Sequence, residues 1–205
     1  MTTVIDGGAA DVVERLAGAL LAGGVVVIPT DTVYGVAALP SDGDAVERLF
    51  AMKARGVDVP LAVLCADADQ ALGLAAPHDP AAVARVAGRW WPGPLTLVLP
   101  RRPGLQLHLG QPDTTVGLRV PDLGLVRSLA AAVGPIATTS ANRHGEPTAT
   151  TASEAVAVLG QGVAVAVDGG PLDGRSSTVV DATAPGWRVL REGPIPAEEI
   201  LRLVG

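Results

Sequence analysis

The sequence has very little of several residue types, and each shortage excludes a class of protein. Its 205 residues include one cysteine, Cys65, which excludes an internal disulfide and a zinc site built from several cysteines. Aromatic residues make up only 2%, so a core must be built from smaller side chains. No apolar run approaches the roughly 20 residues of a membrane span. The formal charge of −6 argues against broad binding of nucleic acid through a basic face.

The ends and the composition of the chain predict its location and its domain count. The N-terminal segment carries Asp6, Asp11 and Glu14 and lacks the basic start and apolar centre of a signal peptide. A single cysteine fits a reducing compartment, so we expect a cytoplasmic protein without a membrane partner. An apolar fraction of 48% is enough for a sizeable core. Because we find neither a linker nor a repeat, we predict one compact domain over residues 1–205.

The scarcest cationic residue is lysine. Lys53 is the only one, and all the other cationic side chains are arginine. A lone lysine in such a chain indicates a position that needs a compact ammonium on a flexible stem rather than a planar guanidinium. Arg55 follows two positions later. The alternative for an isolated Lys-x-Arg pair is a pair of solvated charges at the end of a helix, where cations also suit the helix dipole.

Apolar periodicity predicts helices and strands that alternate along the chain. The predicted helices cover residues 9–22, a segment from Asp44 towards Arg55, a segment from Asp79 or Pro80 to Trp90, a segment from an N-cap at Asp122 through Ala132, residues 153–159, and a last segment from Ala197. The predicted strands cover residues 25–28, 61–65, 95–99, 116–120, 136–138, 163–167, 178–180 and 187–190. This alternation predicts an α/β fold, and the short late strands favour a mixed sheet.

Polar motifs follow several of the predicted strands, which is where ligands usually bind in open α/β sheets. The first is Pro29-Thr30-Asp31-Thr32-Val33-Tyr34-Gly35, which can also be a turn in which Asp31 bonds its own backbone. The second, residues 135–145, contains Ser140. No histidine of the chain lies in a motif typical of a catalytic base, so we expect Ser140 to bind a ligand rather than to act as a nucleophile.

An arginine interrupts the apolar strand Gly117-Leu118-Arg119-Val120-Pro121. A buried guanidinium needs an anion, because an unpaired charge in an apolar setting is costly. The anion is either an internal carboxylate or the carboxylate of a ligand, which the guanidinium would grip with two hydrogen bonds. The sequence lacks a Walker-type loop and a Gly-x-Gly-x-x-Gly turn. Together the motifs predict a cleft for phosphates and a small amino acid.

This ordered set of motifs, which extends from the first strand to Arg191, resembles the YrdC/TsaC family of L-threonylcarbamoyladenylate synthases. The resemblance implies a single-domain, twisted, open mixed sheet flanked by helices, with a concave basic cleft. It implies a nucleotidyltransferase that converts L-threonine, bicarbonate or CO2, and ATP into threonylcarbamoyl-AMP and pyrophosphate. Mg2+ would arrive with ATP. The product would pass to the tRNA threonylcarbamoyl transferase machinery.

The resemblance also assigns roles to individual residues. It places ATP against Lys53, Arg55, Val59, Thr115, Asn142, Thr150 and Arg191, with Lys53 and Arg55 as the catalytic cations. It places L-threonine against Thr32, Arg119, Ser140 and Ser177, and it implies no side-chain ligand for a metal. Some members have histidine where this chain has Leu64, so a histidine contact to threonine is not transferred. Two other functions stay open: an RNA-binding module that uses the same basic cleft, and a carbamoyl-adenylate synthase for another amino acid.

Overall fold

The computed structural model describes residues 2–54, 56–143 and 145–204, so Arg55 and His144 lie outside the described residues. The helices of the described residues are α1 (Val12–Leu21), α2 (Gly43–Lys53), α3 (Ala68–Leu72), α4 (Pro80–Trp90), α5 (Gly124–Val133), α6 (Ala152–Leu159) and α7 (Ala197–Val204). The strands are β1 (Thr3–Asp6), β2 (Val25–Ile28), β3 (Gly35–Ala38), β4 (Ala62–Leu64), β5 (Leu95–Pro100), β6 (Thr115–Arg119), β7 (Ile136–Ser140), β8 (Val163–Asp168), β9 (Thr178–Asp181) and β10 (Arg188–Arg191). Each described helix is too short or too polar to cross a bilayer.

All these strands join in one open sheet in the order β1-β8-β2-β3-β7-β4-β6-β5-β9-β10. The sheet is mixed: β8 pairs in parallel with β1 and β2, whereas β3 pairs antiparallel with β2 and β7. On the other side of β7, β4 is parallel to β6 and β5 is parallel to β9. The predicted α/β class with a mixed, open sheet is therefore confirmed.

The two faces of the sheet are packed differently. One face packs against α2, α4, α6 and α7 and forms the larger apolar cluster, to which the strands contribute Val27, Val36, Val63, Leu97 and Leu118. The opposite face packs against α1 and α5, and here the strands contribute Val26, Ile28, Ala37, Ile136 and Val167. Leu16 and Leu20 of α1 are almost completely buried in this second cluster. Burying one such side chain stabilises the fold by about 1.5–3 kcal/mol.

The second face has two halves. We call the part that packs against α1 and α5, with Val26, Ile28, Ala37, Ile136 and Val167, the covered half. The remaining part, with Thr138, Ala62, Gly117, Val98 and Thr96, is the open half, because its side chains line a cavity. One row of paired residues crosses both halves in the order Val26, Ala37, Thr138, Ala62, Gly117 and Val98. The sheet therefore continues without a break from the core into the cavity.

Local sequence explains where several helices begin and end. The Asp79 side chain accepts a hydrogen bond from the backbone N–H of Ala82 at 2.9 Å, and Pro80 occupies the first turn, so the predicted start of α4 is confirmed. Asp42 caps α2 in the same way, two residues before the predicted start. The prediction of Asp122 as the N-cap of α5 is wrong. The capping residue is Leu123, and the Asp122 carboxylate instead meets the guanidinium of Arg127 at 3.2 Å.

Three elements were not predicted from the sequence. β1 is an edge strand with three exposed residues out of four, so it lacks the alternating pattern that identifies a strand. β3 has the sequence Gly-Val-Ala-Ala, in which three of the four residues have low β-propensity, yet it is buried throughout between β2 and β7. α3 is only five residues long. In each case tertiary contacts, rather than local pattern, determine the structure.

Candidate active site

A cavity of about 360 Å³ lies over the open half of the sheet. Its size falls in the range of small-ligand sites, about 300–1,000 Å³. Its polar lining residues are Thr30, Thr32, Thr96, Thr115, Arg119, Thr138, Thr139, Ser140, Ser176, Ser177 and Arg191. Its apolar lining includes Val59, Pro60, Leu61, Leu64, Val98, Val179 and Leu190. Hydroxyl groups and two guanidinium groups thus face an apolar wall, as expected for a ligand with charged and uncharged parts.

The floor of the cavity is formed by residues without a side chain or with a small one. Gly35, Ala62 and Gly117 lie on β3, β4 and β6, and β7 with Thr138 runs between β3 and β4. At Gly35 a Cβ atom would lie 2.8 Å from the Thr138 side-chain oxygen, which is too close for any residue but glycine. Because side chains on one face of a strand recur every second residue, Thr115, Gly117 and Arg119 of β6 all line the same cavity.

Arg119 ends β6 and is 5% exposed. Its Nη2 donates to Asp31 Oδ1 at 2.7 Å, its Nη1 donates to Thr32 Oγ1 at 2.8 Å, and its Nε donates to the Gly93 carbonyl at 3.0 Å. Burial lowers the pKa of Arg119, and the negative charge of Asp31 opposes that shift. The anion required by a buried arginine is therefore present inside the protein, which is the first of the two alternatives that the sequence left open.

Thr30 organises the turn that carries Asp31 and Thr32. Its hydroxyl oxygen accepts hydrogen bonds from the backbone N–H groups of Thr32 and Val33, each at 3.1 Å, and donates to the Val33 carbonyl at 2.7 Å. Thr30 thus makes the turn contacts that the sequence interpretation gave to Asp31, and the Asp31 carboxylate is directed to Arg119 instead. The Thr30 hydroxyl also lies 3.0 Å from the Thr32 hydroxyl.

Lys53 is the last residue of α2 and is only 1% exposed. Its Nζ donates to the Ser140 carbonyl at 2.6 Å, to the Asn142 carbonyl at 2.6 Å, and to Asn142 Oδ1 at 2.8 Å. These three oxygens match the three donors of an ammonium group. The following residue, Ala54, has a left-handed backbone with φ of 49°, which ends the helix at Lys53. The ammonium therefore holds the loop after β7, and the interpretation of Lys53 as a solvated charge is wrong.

Arg191 stands on the wall formed by β9 and β10. Its Nε donates to the Ser177 carbonyl at 3.0 Å and its Nη2 to the Ser177 hydroxyl at 3.1 Å. The same hydroxyl lies 2.9 Å from the Thr96 hydroxyl on β5. Partial burial, followed by the positive charge of Arg119, lowers the pKa of Arg191. In the described part of the chain no carboxylate lies within 4.0 Å of this guanidinium, so Arg191 can receive an anionic ligand.

The structure brings most of the predicted site residues to this one cavity. Those that line it are Thr32, Val59, Thr115, Arg119, Ser140, Ser177 and Arg191. Lys53 and Asn142 do not line it but are bonded to Ser140. Thr150 lies elsewhere: its N–H and its hydroxyl both donate to the Glu154 carboxylate at 2.9 Å, at the start of α6. Arg55 lies outside the described residues. The ligand roles of these residues stay predictions.

Several lining residues were missed by sequence reasoning. Thr96, Thr138, Thr139 and Ser176 line the cavity, and Asp31 supports Arg119 from outside the lining. A signal was present for Thr138 and Thr139, because they directly precede Ser140 in the polar motif of residues 135–145. For Thr96 no comparable signal exists, because a single threonine in an apolar strand is common.

Other chemically interesting groups are less suited to the expected chemistry. A larger cavity of about 670 Å³ lies at the ends of β1, β2 and β8, but Asp6 and Asp168 line it, so its charge is unfavourable for phosphates. Burial, with a smaller contribution from the charge of Asp67, raises the pKa of Cys65 to about 12, which keeps this thiol protonated and unreactive at neutral pH. Among residues 2–54, 56–143 and 145–204 no cluster of three acidic, histidine or cysteine side chains could hold a metal ion.

Comparison with known sequences gives a consistent result. Residues 18–193 match the sequence model of the Sua5/YciO/YrdC family, which carries the description "Telomere recombination". A protein of Mycobacterium tuberculosis, provisionally named threonylcarbamoyl-AMP synthase, is 41% identical over 189 residues, which cover 92% of this chain and 87% of that protein.

Solved structures agree with the sequence comparison. The crystal structure of Pyrococcus abyssi Sua5 complexed with L-threonine superimposes with a TM-score of 0.86 at 33% identity, covering 100% of this chain. This chain spans 61% of the length of that protein. Escherichia coli YciO superimposes with a TM-score of 0.85 at 24% identity, which supports the fold alone. The chain belongs to the Sua5/YciO/YrdC family.

Proposed function

We propose that this chain is an L-threonylcarbamoyladenylate synthase, a nucleotidyltransferase that uses L-threonine, bicarbonate or CO2, and ATP. The observation that carries the proposal is the pair of guanidinium groups, Arg119 and Arg191, on two walls of a single hydroxyl-lined cavity. Such a cavity suits one ligand with a carboxylate and another with phosphates. Relatives named threonylcarbamoyl-AMP synthase, and a homologue solved with L-threonine, support the same assignment.

The proposed reaction has two steps. The amine nitrogen of threonine forms a bond to the carbon of CO2 and releases a proton, which gives a carbamate. One carbamate oxygen then forms a bond to the α-phosphorus of ATP, while the bond from this phosphorus to the bridging oxygen breaks and pyrophosphate leaves with the bonding electrons. Negative charge develops on phosphate oxygens rather than on a protein nucleophile, so catalysis consists of positioning and charge stabilisation.

The amino acid is proposed to bind beside β6 and β7. Arg119 takes its carboxylate, because the guanidinium lines the cavity and is already held in place by Asp31 and Thr32. The Thr32 and Ser140 hydroxyls lie close to this position and can bond the ligand's polar groups. Leu64 presents an apolar surface where the amino-acid side chain would lie, so the choice of threonine over other amino acids has to be tested directly.

The nucleotide is proposed to bind towards Arg191, Thr115 and the apolar residue Val59. Arg191 would stabilise phosphate charge. Lys53 would act mainly by holding Ser140 and Asn142, since a direct contact with phosphate requires it to exchange a protein oxygen. Mg2+ is proposed to enter with the triphosphate. Cytoplasmic tRNA threonylcarbamoyl transferase machinery is the proposed consumer of the product, because a mixed anhydride of this kind transfers its acyl group to an amine.

The test is a pyrophosphate-release assay with ATP and bicarbonate, run with each of the twenty amino acids. We expect release that depends on threonine. A broad or different preference would support the alternative of a carbamoyl-adenylate synthase for another amino acid. RNA binding without amino-acid-dependent pyrophosphate release would support an RNA-binding module and contradict the proposal.

A matched pair of variants connects this activity to the cavity. Arg191→Met removes a guanidinium of the cavity. Arg188→Met removes a guanidinium of the same strand that does not line the cavity and that pairs with the Asp181 carboxylate at 2.9 Å. We expect the first variant to lose about 100- to 1,000-fold in rate, the usual effect of deleting one charge-stabilising donor, and the second to keep it. Equal activities in the two variants would exclude Arg191 from the reaction.

A further inference from the structure

We propose that Asp31 is a positioning residue for the amino-acid substrate: its carboxylate fixes the guanidinium of Arg119 from outside the cavity, so that Arg119 presents a fixed pair of donors to the substrate carboxylate. This inference rests on the proposed function and deepens it. It assigns to Asp31 a task that its position in the motif Pro29-Thr30-Asp31-Thr32 does not reveal.

The first argument is geometric. The 2.7 Å contact between Asp31 Oδ1 and Arg119 Nη2 is the shortest of the three hydrogen bonds that Arg119 makes, and the two side chains are only 13% and 6% exposed. The other ion pairs among the described residues each include a side chain that is at least 32% exposed. The contact between Asp31 and Arg119 is therefore buried, and its geometry is much less open to rearrangement by water than that of a surface pair.

The second argument comes from the donors of the guanidinium. The group has five N–H bonds, one on Nε and two on each terminal nitrogen. Gly93, Thr32 and Asp31 accept one each, from Nε, Nη1 and Nη2 respectively. One N–H on each terminal nitrogen is left, which is the pair that a carboxylate can accept with its two oxygens. The internal partners thus leave one donor on each terminal nitrogen for a ligand and hold the plane of the group.

The third argument is the position of Asp31 relative to the cavity. Thr30, Thr32 and Arg119 line it, whereas Asp31 does not. Asp31 therefore does not occupy the space of a ligand carboxylate, and it acts on the ligand through Arg119. If it were instead an internal competitor for Arg119, its removal would strengthen amino-acid binding. The two possibilities predict opposite signs for the same measurement.

The experiment compares Asp31→Ala and Asp31→Asn with wild type and with the control Asp181→Asn. Asp181 also pairs with an arginine, Arg188, but that ion pair is not part of the cavity. The measurements are KM for threonine, KM for ATP and kcat from pyrophosphate release, the Kd for threonine from calorimetry without ATP, and the Tm. Asp31→Asn keeps an acceptor oxygen and the side-chain volume, so it serves if the alanine variant folds poorly.

We expect Asp31→Ala to raise both KM and Kd for threonine by about ten- to a hundredfold, the size of effect that a misplaced binding group produces. Asp31→Asn should raise them less, because one hydrogen bond to Nη2 is kept. KM for ATP and the Tm of the asparagine variant should stay close to those of the control. A KM and a Kd for threonine that are unchanged or lower than in the wild type would overturn the proposal. A parallel rise of the KM for threonine and the KM for ATP, together with a lower Tm, would also overturn it.

Failure of this inference is distinguishable from failure of the proposed function. Wild-type protein that binds threonine but releases no pyrophosphate contradicts the function, while the calorimetric comparison of the Asp31 variants still decides the role of Asp31. Wild-type protein that is active, with variants that bind threonine as tightly, contradicts only the role of Asp31. Wild-type protein that binds no amino acid contradicts both.

Discussion

The covered and open halves of one sheet face show how a single architecture supplies both a core and a binding site. In the covered half the paired residues Val26 and Ala37 lie under α1 and α5. In the same row the open half has Thr138, Ala62 and Gly117, which line the cavity. The backbone pairing continues, and only the side chains and the covering helices change. The difference teaches that strand pairing sets the platform, while side-chain size and polarity decide which part binds a ligand.

Lys53, the last residue of α2, supports the open half through Ser140, and its replacement should give the largest effect. It is buried like a core residue, yet its ammonium bonds Ser140, which lines the cavity. Replacing it with methionine keeps most of the stem but removes the ammonium that joins the Ser140 carbonyl, the Asn142 carbonyl and Asn142 Oδ1. We expect the rate of pyrophosphate release to fall about 100- to 1,000-fold. The free energy of unfolding, measured by urea denaturation, should fall by about 1–3 kcal/mol.

The control is Arg48→Met on the same helix, where an exposed side chain donates to the Gly23 carbonyl at 2.6 Å and makes no ion pair with another described residue. It should change neither the rate nor the stability appreciably. If Lys53→Met lost activity without losing stability, the ammonium would act mainly by contacting a ligand and would contribute little to the stability of the 140–142 loop. Wild-type activity in Lys53→Met would remove Lys53 from the mechanism altogether.

The covered half should respond in stability alone. Leu16 of α1 is fully buried against this part of the sheet. Leu16→Ala creates a cavity in a packed core, and we expect the free energy of unfolding to fall by about 3 kcal/mol in urea denaturation. KM and kcat per folded molecule should not change, because no residue of α1 lines the active-site cavity. A large rise in KM would show that packing under α1 controls the open half, and the two halves would not be separable.

Local apolar runs predicted most of the strands, whereas Val59, Thr115, Ser177 and Arg191 were assigned to the site by the family resemblance. The run Val25–Ile28 and the alternation around Arg119 are visible without tertiary information. The partners of the two buried cations were not predictable in the same way. Asp31 meets Arg119 across 88 residues, and Lys53 meets Asn142 across 89, so these contacts exist only once the sheet has formed. For the same reason a local turn was the natural but wrong interpretation of Asp31.

The smallest predicted effect comes from a pair of glycine-to-alanine substitutions. One adds a methyl group to the open half, and the other adds a methyl group to α1, which packs against the covered half. At Gly117, in the open half, a new Cβ would lie 3.6 Å from Thr96 and 3.9 Å from both Ala62 and Val98, which is ordinary van der Waals contact. The fold should therefore accept Gly117→Ala. The methyl group nevertheless occupies the cavity floor, and one methyl group in a fitted pocket changes specificity or affinity by about tenfold or more.

Gly18→Ala is the matched substitution on α1, where a new Cβ meets nothing within 4 Å. There we expect unchanged kinetics and a stability gain of up to about 1 kcal/mol, since alanine favours a helix over glycine. For Gly117→Ala we expect a Tm close to wild type and a KM for threonine or ATP raised about tenfold. If both variants left KM unchanged, ligands would not reach the floor at Gly117. The site would then have to lie nearer the rim, where Val59 and Leu190 are exposed.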